Sequence, residues 1–83
     1  MSTTRYDIDA SDGWVEVAAA GDDFMIEMVT IGRAFVAISE AAPDPTDAYH
    51  KLLQRDVMVR TGTGAAYVRN PNALTPITVV VSV

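Results

Sequence analysis

The sequence predicts an all-β fold, a small antiparallel β-sandwich or barrel of six to seven short strands that is expected to be oligomeric. Short segments rich in β-branched and aromatic residues recur along the 83 residues, and Gly, Pro, Asn or Asp residues bound them. Most of these segments are also apolar on both alternating faces, as in residues 24–31, 34–39 and 77–83. A small chain has little interior in which to hide two apolar faces, so identical copies are expected to cover the excess.

Length and composition limit the domain organisation. Eighty-three residues leave room for one domain, and hydrophobic residues at 49% exclude a disordered chain. Residues 1–13 are polar and acidic and are expected to form a flexible N-terminal arm or a loosely docked edge, so that residues 14–83 form the single sandwich domain. With no cysteine, the core must hold by packing alone, which for this length is marginal unless subunits add buried area.

The individual strands follow from the turn residues between them. The predicted strands comprise residues 14–18, 24–31, 34–39, 50–53, 57–61, 65–69 and 77–83. Gly32-Arg33 and Gly62-Thr63-Gly64 are short enough to predict hairpins, and two prolines make residues 41–47 a loop. Residues 48–54 are also compatible with a helix capped by Asp44, although strands around a turn at residues 54–56 are favoured. The terminal valine-rich strand is expected to be central or shared between subunits.

Charge is distributed unevenly between the two halves of the chain. Residues 1–47 hold ten acidic and two basic residues, a net charge of −8, whereas residues 48–83 hold one acidic and four basic residues, a net charge of +3. The halves either pair within one subunit or meet between subunits, where complementary charge sets orientation. The second alternative predicts an interface made by the acidic arm, two arginines, the tryptophan and the last strand: Asp7, Asp9, Asp12, Trp14, Arg60, Arg69, Val79, Val81 and Val83.

No group of residues predicts catalysis or a cofactor. Residues 61–64 lack the Lys that follows a phosphate-binding loop, and His50 is the only histidine, so a zinc site or a histidine-based triad is not expected. Glu16 and Glu27 are more simply explained by ion pairs with arginines than by glycoside hydrolysis. The acidic pairs at residues 22–23 and at residues 44 and 47 lack the regular oxygen spacing of a calcium loop. We therefore predict no catalytic residue, no metal and no cofactor.

Three segments resemble small all-β virion proteins of tailed bacteriophages. They are AFVAISEAAP at residues 34–43, HKLLQRD at residues 50–56 and AAYVR at residues 65–69, and the resemblance extends over about residues 14–83. The chain departs from that pattern at residues 54–56, where the family has a Pro-Gly turn. The resemblance implies a non-enzymatic structural subunit in the virion, either a capsid decoration protein or a tail-associated protein, made in the host cytoplasm.

The partners expected from the resemblance are copies of the chain itself, as a trimer or hexamer, and major capsid or tail proteins. Nucleic acid is disfavoured as a partner because the chain is acidic overall, with a net charge of −5. No apolar run is long enough for a helix to span a bilayer, so no membrane partner is expected. The alternative function is a glycan-binding sandwich in which Trp14 and the tyrosines stack on sugar rings.

Overall fold

The computed structural model describes residues 2–41, 43, 49–62 and 64–83, and these residues form eight strands and one 3₁₀ turn at Ala10–Asp12. The all-β prediction is confirmed. The strands are β1 (Thr3–Ile8), β2 (Val15–Ala18), β3 (Phe24–Met28), β4 (Arg33–Ser39), β5 (His50–Leu53), β6 (Val57–Arg60), β7 (Ala65–Arg69) and β8 (Ile77–Ser82).

The strands form two four-stranded antiparallel sheets. We call the one with order β1-β8-β3-β6 sheet 1 and the one with order β2-β7-β4-β5 sheet 2. Four of the ladders join β1 to β8, β2 to β7, β3 to β6 and β4 to β5, as if one long hairpin with its tip after β4 had been rolled up. This strand order is that of an eight-stranded jelly roll. No ladder among the described residues joins the two sheets, so the structure is a sandwich and not a closed barrel.

The inner faces of the two sheets enclose one apolar core. Its fully buried side chains come from both sheets and include Ile8, Ile26, Met28, Ile77, Val36, Val68, Val79 and Val81. In β3 burial alternates strictly, with Phe24, Ile26 and Met28 inside, which is the period-two pattern of a strand covered on one face. The prediction that β8 is central is confirmed, since it lies between β1 and β3 in sheet 1.

The N-terminal segment is part of the sandwich, so the predicted division at residue 14 is wrong. Residues Thr3–Ile8 form β1, which pairs with β8 over six residues, and the side chain of Ile8 is buried in the core. The main chain continues this ladder, since Ser2 and Val83 exchange two N–H···O bonds of 2.8 and 2.9 Å. The segment looks polar in sequence because β1 is an edge strand, and most of its side chains are exposed.

The two predicted hairpins are also wrong. Residues 29–32 connect β3 in sheet 1 to β4 in sheet 2, so that Arg33 of the predicted turn is already the first residue of β4. Residues 61–64, of which the structure describes all but Thr63, connect β6 in sheet 1 to β7 in sheet 2. A short link can cross the core between stacked sheets as readily as it can turn within one sheet. Glycine suits the first crossing because Gly32 has a φ of 121°, which residues with a Cβ atom rarely adopt.

The strand interpretation of residues 50–53 is confirmed, and the helix alternative is excluded for these residues. His50–Leu53 form β5 at the edge of sheet 2, and a turn at Gln54 and Arg55 carries the chain across to β6. Arg55 accommodates this reversal with a φ of 74°. The predicted cap at Asp44, the start of the ambiguous segment at Ala48 and most of the predicted loop at residues 41–47 lie outside the described residues.

A buried asparagine connects three segments at one end of the sandwich. Asn70 is 2% exposed, and its Nδ2 atom donates to the carbonyl oxygens of Ile8 at 2.9 Å and Thr75 at 2.8 Å. Its Oδ1 atom accepts from the backbone and side-chain nitrogens of Asn72 at 2.7 and 2.8 Å. Asn72 also donates to the carbonyl oxygen of Arg33 at 2.8 Å, so that the ends of β1 and β7 and the start of β4 are held together.

Candidate interaction surfaces

The outer face of sheet 1 exposes a group of apolar side chains. Met25 of β3 lies directly across from Val59 of β6, and these side chains are 42% and 55% exposed. Val57 is 51% exposed, and Val29, just after β3, is 42% exposed. We call these four residues the apolar face. They point away from the core because their neighbours Ile26 and Met58 point into it.

Charged residues also lie on the outer face of sheet 1, and one of them, Glu27, separates Met25 from Val29 along the chain. Glu27 lies between Val57 and Val80 in the register of the sheet, and Arg5 pairs with Val80 from the other side. Asp7, a predicted interface residue, accepts a 2.6 Å hydrogen bond from the Thr78 hydroxyl and a 3.1 Å bond from the Arg5 guanidinium. The Thr78 hydrogen bond, assisted by Arg5, holds the pKa of the Asp7 carboxyl below its usual value of 3.8.

Replacing Thr78 by Val is expected to raise the pKa of Asp7 toward 3.8, because the isosteric side chain no longer donates to the carboxylate. A lowered pKa means that ionised Asp7 favours the fold above pH 3.8 and that this contribution is lost as the pH falls below it. Carboxyl-carbon NMR titration of Asp7 measures the pKa directly. Thr3→Val, which removes a hydroxyl that contacts Ser82 at 3.0 Å, is the control. An Asp7 pKa equally low in both variants would contradict the assigned hydrogen bond.

The outer face of sheet 2 is covered by an aromatic and cationic stack. The guanidinium carbon of Arg69 lies 5.4 Å from the ring centroids of both Trp14 and Phe35. Tyr49 stacks on Phe35 with ring centroids 3.9 Å apart and an interplanar angle of 19°. Phe35, although it points outward, is only 9% exposed. Sheet 2 therefore buries much of its outer apolar face within the subunit. From the sequence, this face was expected to be covered by other copies of the chain.

A hydrogen bond beside this stack uses one of the two glutamates considered for catalysis. The Tyr67 hydroxyl donates to Glu16 at 3.2 Å, and burial together with this bond raises the pKa of Tyr67 above its usual value of 10.0.

Two nitrogen atoms of the stack are buried and have no hydrogen-bond partner in the part of the chain that the structure describes: Nε1 of Trp14 and Nε of Arg69. Arg69 covers one face of the Trp14 ring, so that this face is occupied within the subunit.

The residues predicted for an interface do not converge on one surface. Asp9 and Asp12 belong to the 3₁₀ turn, where the Asp12 carboxylate accepts from the Asp9 backbone nitrogen at 2.8 Å. Arg60 ends β6 and donates to the carbonyl oxygen of Val59 at 2.7 Å. Trp14 and Arg69 pack on each other, and Val83 is 37% exposed beside Ser2.

Two of the predicted interface residues lie in the core of the subunit. Val79 and Val81 are 0% and 2% exposed, so their prediction as interface residues is wrong. They point inward because alternate residues of β8 face sheet 2, and β1 and β3 on either side of β8 complete their burial. Met25, Val57 and Val59, which are exposed in the structure, were not among the residues predicted for an interface. Their alternation with the apolar residues 24, 26 and 58 was visible, but it could not show which alternating set faces water.

The surface of the structure has hollows that are partly polar, and one of them, between β5 and β6, is lined by His50, Lys51 and Arg60. Another hollow, of about 380 Å³, lies between the 3₁₀ turn and residues 72–76, and Asp9 is the one titratable residue among the described residues that line it. The described residues contain no group of three or more His, Asp or Glu side chains able to hold a metal ion. They also include no helix with the length and hydropathy needed to cross a bilayer.

The comparisons with known proteins leave the fold and its surfaces as the basis for a functional interpretation. No family model matches the chain, and neither a curated protein nor a solved structure is significantly similar to it.

Proposed function

We propose that this protein is a structural subunit of a tailed-phage-like particle, a decoration protein that stabilises the capsid shell through contacts with its own copies and with the shell. The observation that carries the proposal is the apolar face of sheet 1. Three of its four members, Met25, Val57 and Val59, are contiguous on neighbouring strands and half exposed, which is a surface that water disfavours and a neighbouring protein can cover.

The architecture supports the same function. Eight-stranded jelly rolls recur among viral capsid proteins and lectins, although a shared fold alone does not establish a shared role. The glutamates considered for catalysis also fit a structural role, since Glu16 is engaged by the Tyr67 hydroxyl. The glycan-binding alternative has less support, because the Trp14 ring it relies on is packed against Arg69.

The test is the protein composition of purified particles. We expect quantitative mass spectrometry of gradient-purified virions from the phage or prophage that encodes the chain to detect it in a fixed copy number, a multiple of a capsid or tail symmetry. Cryo-electron microscopy of the same particles would then distinguish a position on the capsid from one on the tail. Absence of the chain from infectious, purified particles would contradict the proposal.

A second measurement tests the surface itself. Adding the purified protein to particles that lack it should restore their resistance to heat, and the Met25→Lys variant should bind less, because a buried charge without a partner is costly. Leu74→Lys is the matched control, since Leu74 is 96% exposed in the loop between β7 and β8 and is not part of the apolar face. Equal binding of both variants would show that another surface contacts the shell.

A further inference from the structure

We propose that β6 pairs with β6 of a second copy of this chain, antiparallel and centred on Met58, so that two copies of sheet 1 form one continuous eight-stranded sheet. The partner is a second molecule of the same protein. This inference goes beyond the proposed function, because it concerns the isolated chain and holds or fails whatever particle the protein belongs to.

The four edge strands of the two sheets differ in how well they are protected against pairing with another chain. Exposed edge strands invite pairing, and proteins usually protect them with charges, prolines or bulges. The β1 edge carries Arg5 and Asp7, the β5 edge carries Lys51, and the β2 edge is interrupted by a register shift between Glu16 and Ala18. In contrast, the one charge of β6 is Arg60 at its end, and residues 57–59 are uncharged, contain no proline and keep a regular register with β3. Of the four edges, β6 is the least protected.

The second argument is the direction of the main-chain groups. Met28 donates its N–H to the carbonyl oxygen of Asp56 at 3.0 Å, and hydrogen-bonded pairs alternate along an antiparallel ladder. Val57 and Val59 therefore turn their N–H and C=O groups away from β3, toward the open edge. The Arg60 guanidinium confirms this direction for one of them, because it reaches the Val59 carbonyl oxygen at 2.7 Å.

These directions define one register for self-pairing. A two-fold axis through Met58 places Val57 opposite Val59 of the second copy, and Val59 opposite Val57 of the second copy. Each of these two pairs exchanges two N–H···O bonds. The valine side chains are 51% and 55% exposed and lie on the same outer face, so the four of them form one apolar cluster across the axis. The interface is isologous, as closed two-fold dimers require.

The third argument is charge complementarity. In the same register, Arg60 lies opposite Asp56 of the second copy, and Asp56 lies opposite Arg60 of the second copy. Both side chains are on the face of β6 that Met58 occupies, since the three residues alternate with the valines. Opposite charges directly across an antiparallel ladder are stabilising, whereas any register shifted by one residue would lose both pairs. To form these ion pairs, the Arg60 guanidinium must leave the Val59 carbonyl oxygen. That oxygen then accepts a hydrogen bond from the Val57 N–H of the second copy.

Sedimentation equilibrium of the purified chain tests the pairing. We expect a mass of 8.9 kDa to double as the concentration rises from low micromolar to roughly 0.5 mM, as a small interface implies. Val59→Pro removes an edge N–H that β3 does not use and should weaken association by about tenfold or more. Val59→Lys should also weaken association, without a change of backbone, because it places two charges in the valine cluster across the axis. Leu74→Lys, a 96% exposed position in the loop between β7 and β8 and outside the apolar face, is the control and should leave association unchanged.

Charge variants test the register. Arg60→Glu should weaken the dimer, and adding Asp56→Arg should restore it, since the pair is then reversed. Far-UV circular dichroism must show that each variant is folded, because Asp56 also accepts the Leu53 N–H at 2.8 Å. A monomer over the whole concentration range, or an oligomer that persists in both Val59 variants, would overturn the inference. Detection in virions is unaffected by either result, so failure here and failure of the proposed function remain distinct.

Discussion

The Asn70→Ala variant is expected to lose about 3 kcal/mol of the free energy of unfolding. The alanine leaves the carbonyl oxygens of Ile8 and Thr75 without their side-chain donor, and Asn72 without its acceptor. Each such hydrogen bond contributes about 1 kcal/mol, and a buried group left unpaired costs more. For a domain of this size the loss lowers Tm by roughly 12–24 °C.

Chemical denaturation with urea measures this loss. Thr75→Ala is the matched control, because Thr75 contributes only its backbone carbonyl oxygen and should change stability by less than about 0.5 kcal/mol. Asn70→Asp keeps the shape and the acceptor but directs a carboxylate oxygen toward the two carbonyl oxygens, and should be at least as damaging at neutral pH. If Asn70→Ala were as stable as Thr75→Ala, the network would not hold the three segments together.

Two adjacent residues of β3 should respond very differently to truncation. Ile26 is 0% exposed and lies across from Met58 and Val81, so Ile26→Ala is expected to cost about 2–5 kcal/mol through lost burial and a residual cavity. Met25, the next residue, faces water on the apolar face, and Met25→Ala should cost less than about 1 kcal/mol.

The comparison is made on dilute protein, so that self-association does not stabilise either variant, with urea midpoints and slopes measured for both. Equal losses at residues 25 and 26 would mean that β3 is buried on both faces in the free chain. That result would contradict the assignment of an outer face to sheet 1, and with it the surface on which the proposed function depends.

The excess of apolar sheet noted in the sequence has two different explanations in the structure. On sheet 2 it is resolved within the subunit, because Tyr49 and Arg69 cover Phe35. On sheet 1 it persists as the apolar face and the open edge of β6. The interface that we propose at β6 is smaller than the one predicted from charge asymmetry, and Arg60 is the only residue common to both.

The sequence alone determined that the protein is a β-sheet protein and where most of its strands lie. Seven of the eight strands were located, because alternation and turn residues act over neighbouring positions, as in Phe24–Met28. The eighth, β1, was missed because its sequence is mostly polar and it is held by β8, more than 70 residues away.

Only the tertiary structure decided which strands pair and which faces meet water. Residues 32–33 and 61–64 have the composition of hairpin turns, yet the links at residues 29–32 and 61–64 both cross between sheets, because β3 and β6 pair with each other and leave β4 and β7 to sheet 2. Partner choice depends on contacts between residues far apart in the chain, and a local pattern carries no information on them. The exposed valines of β6 and the buried valines of β8 therefore look alike in sequence and differ only through their neighbours in space.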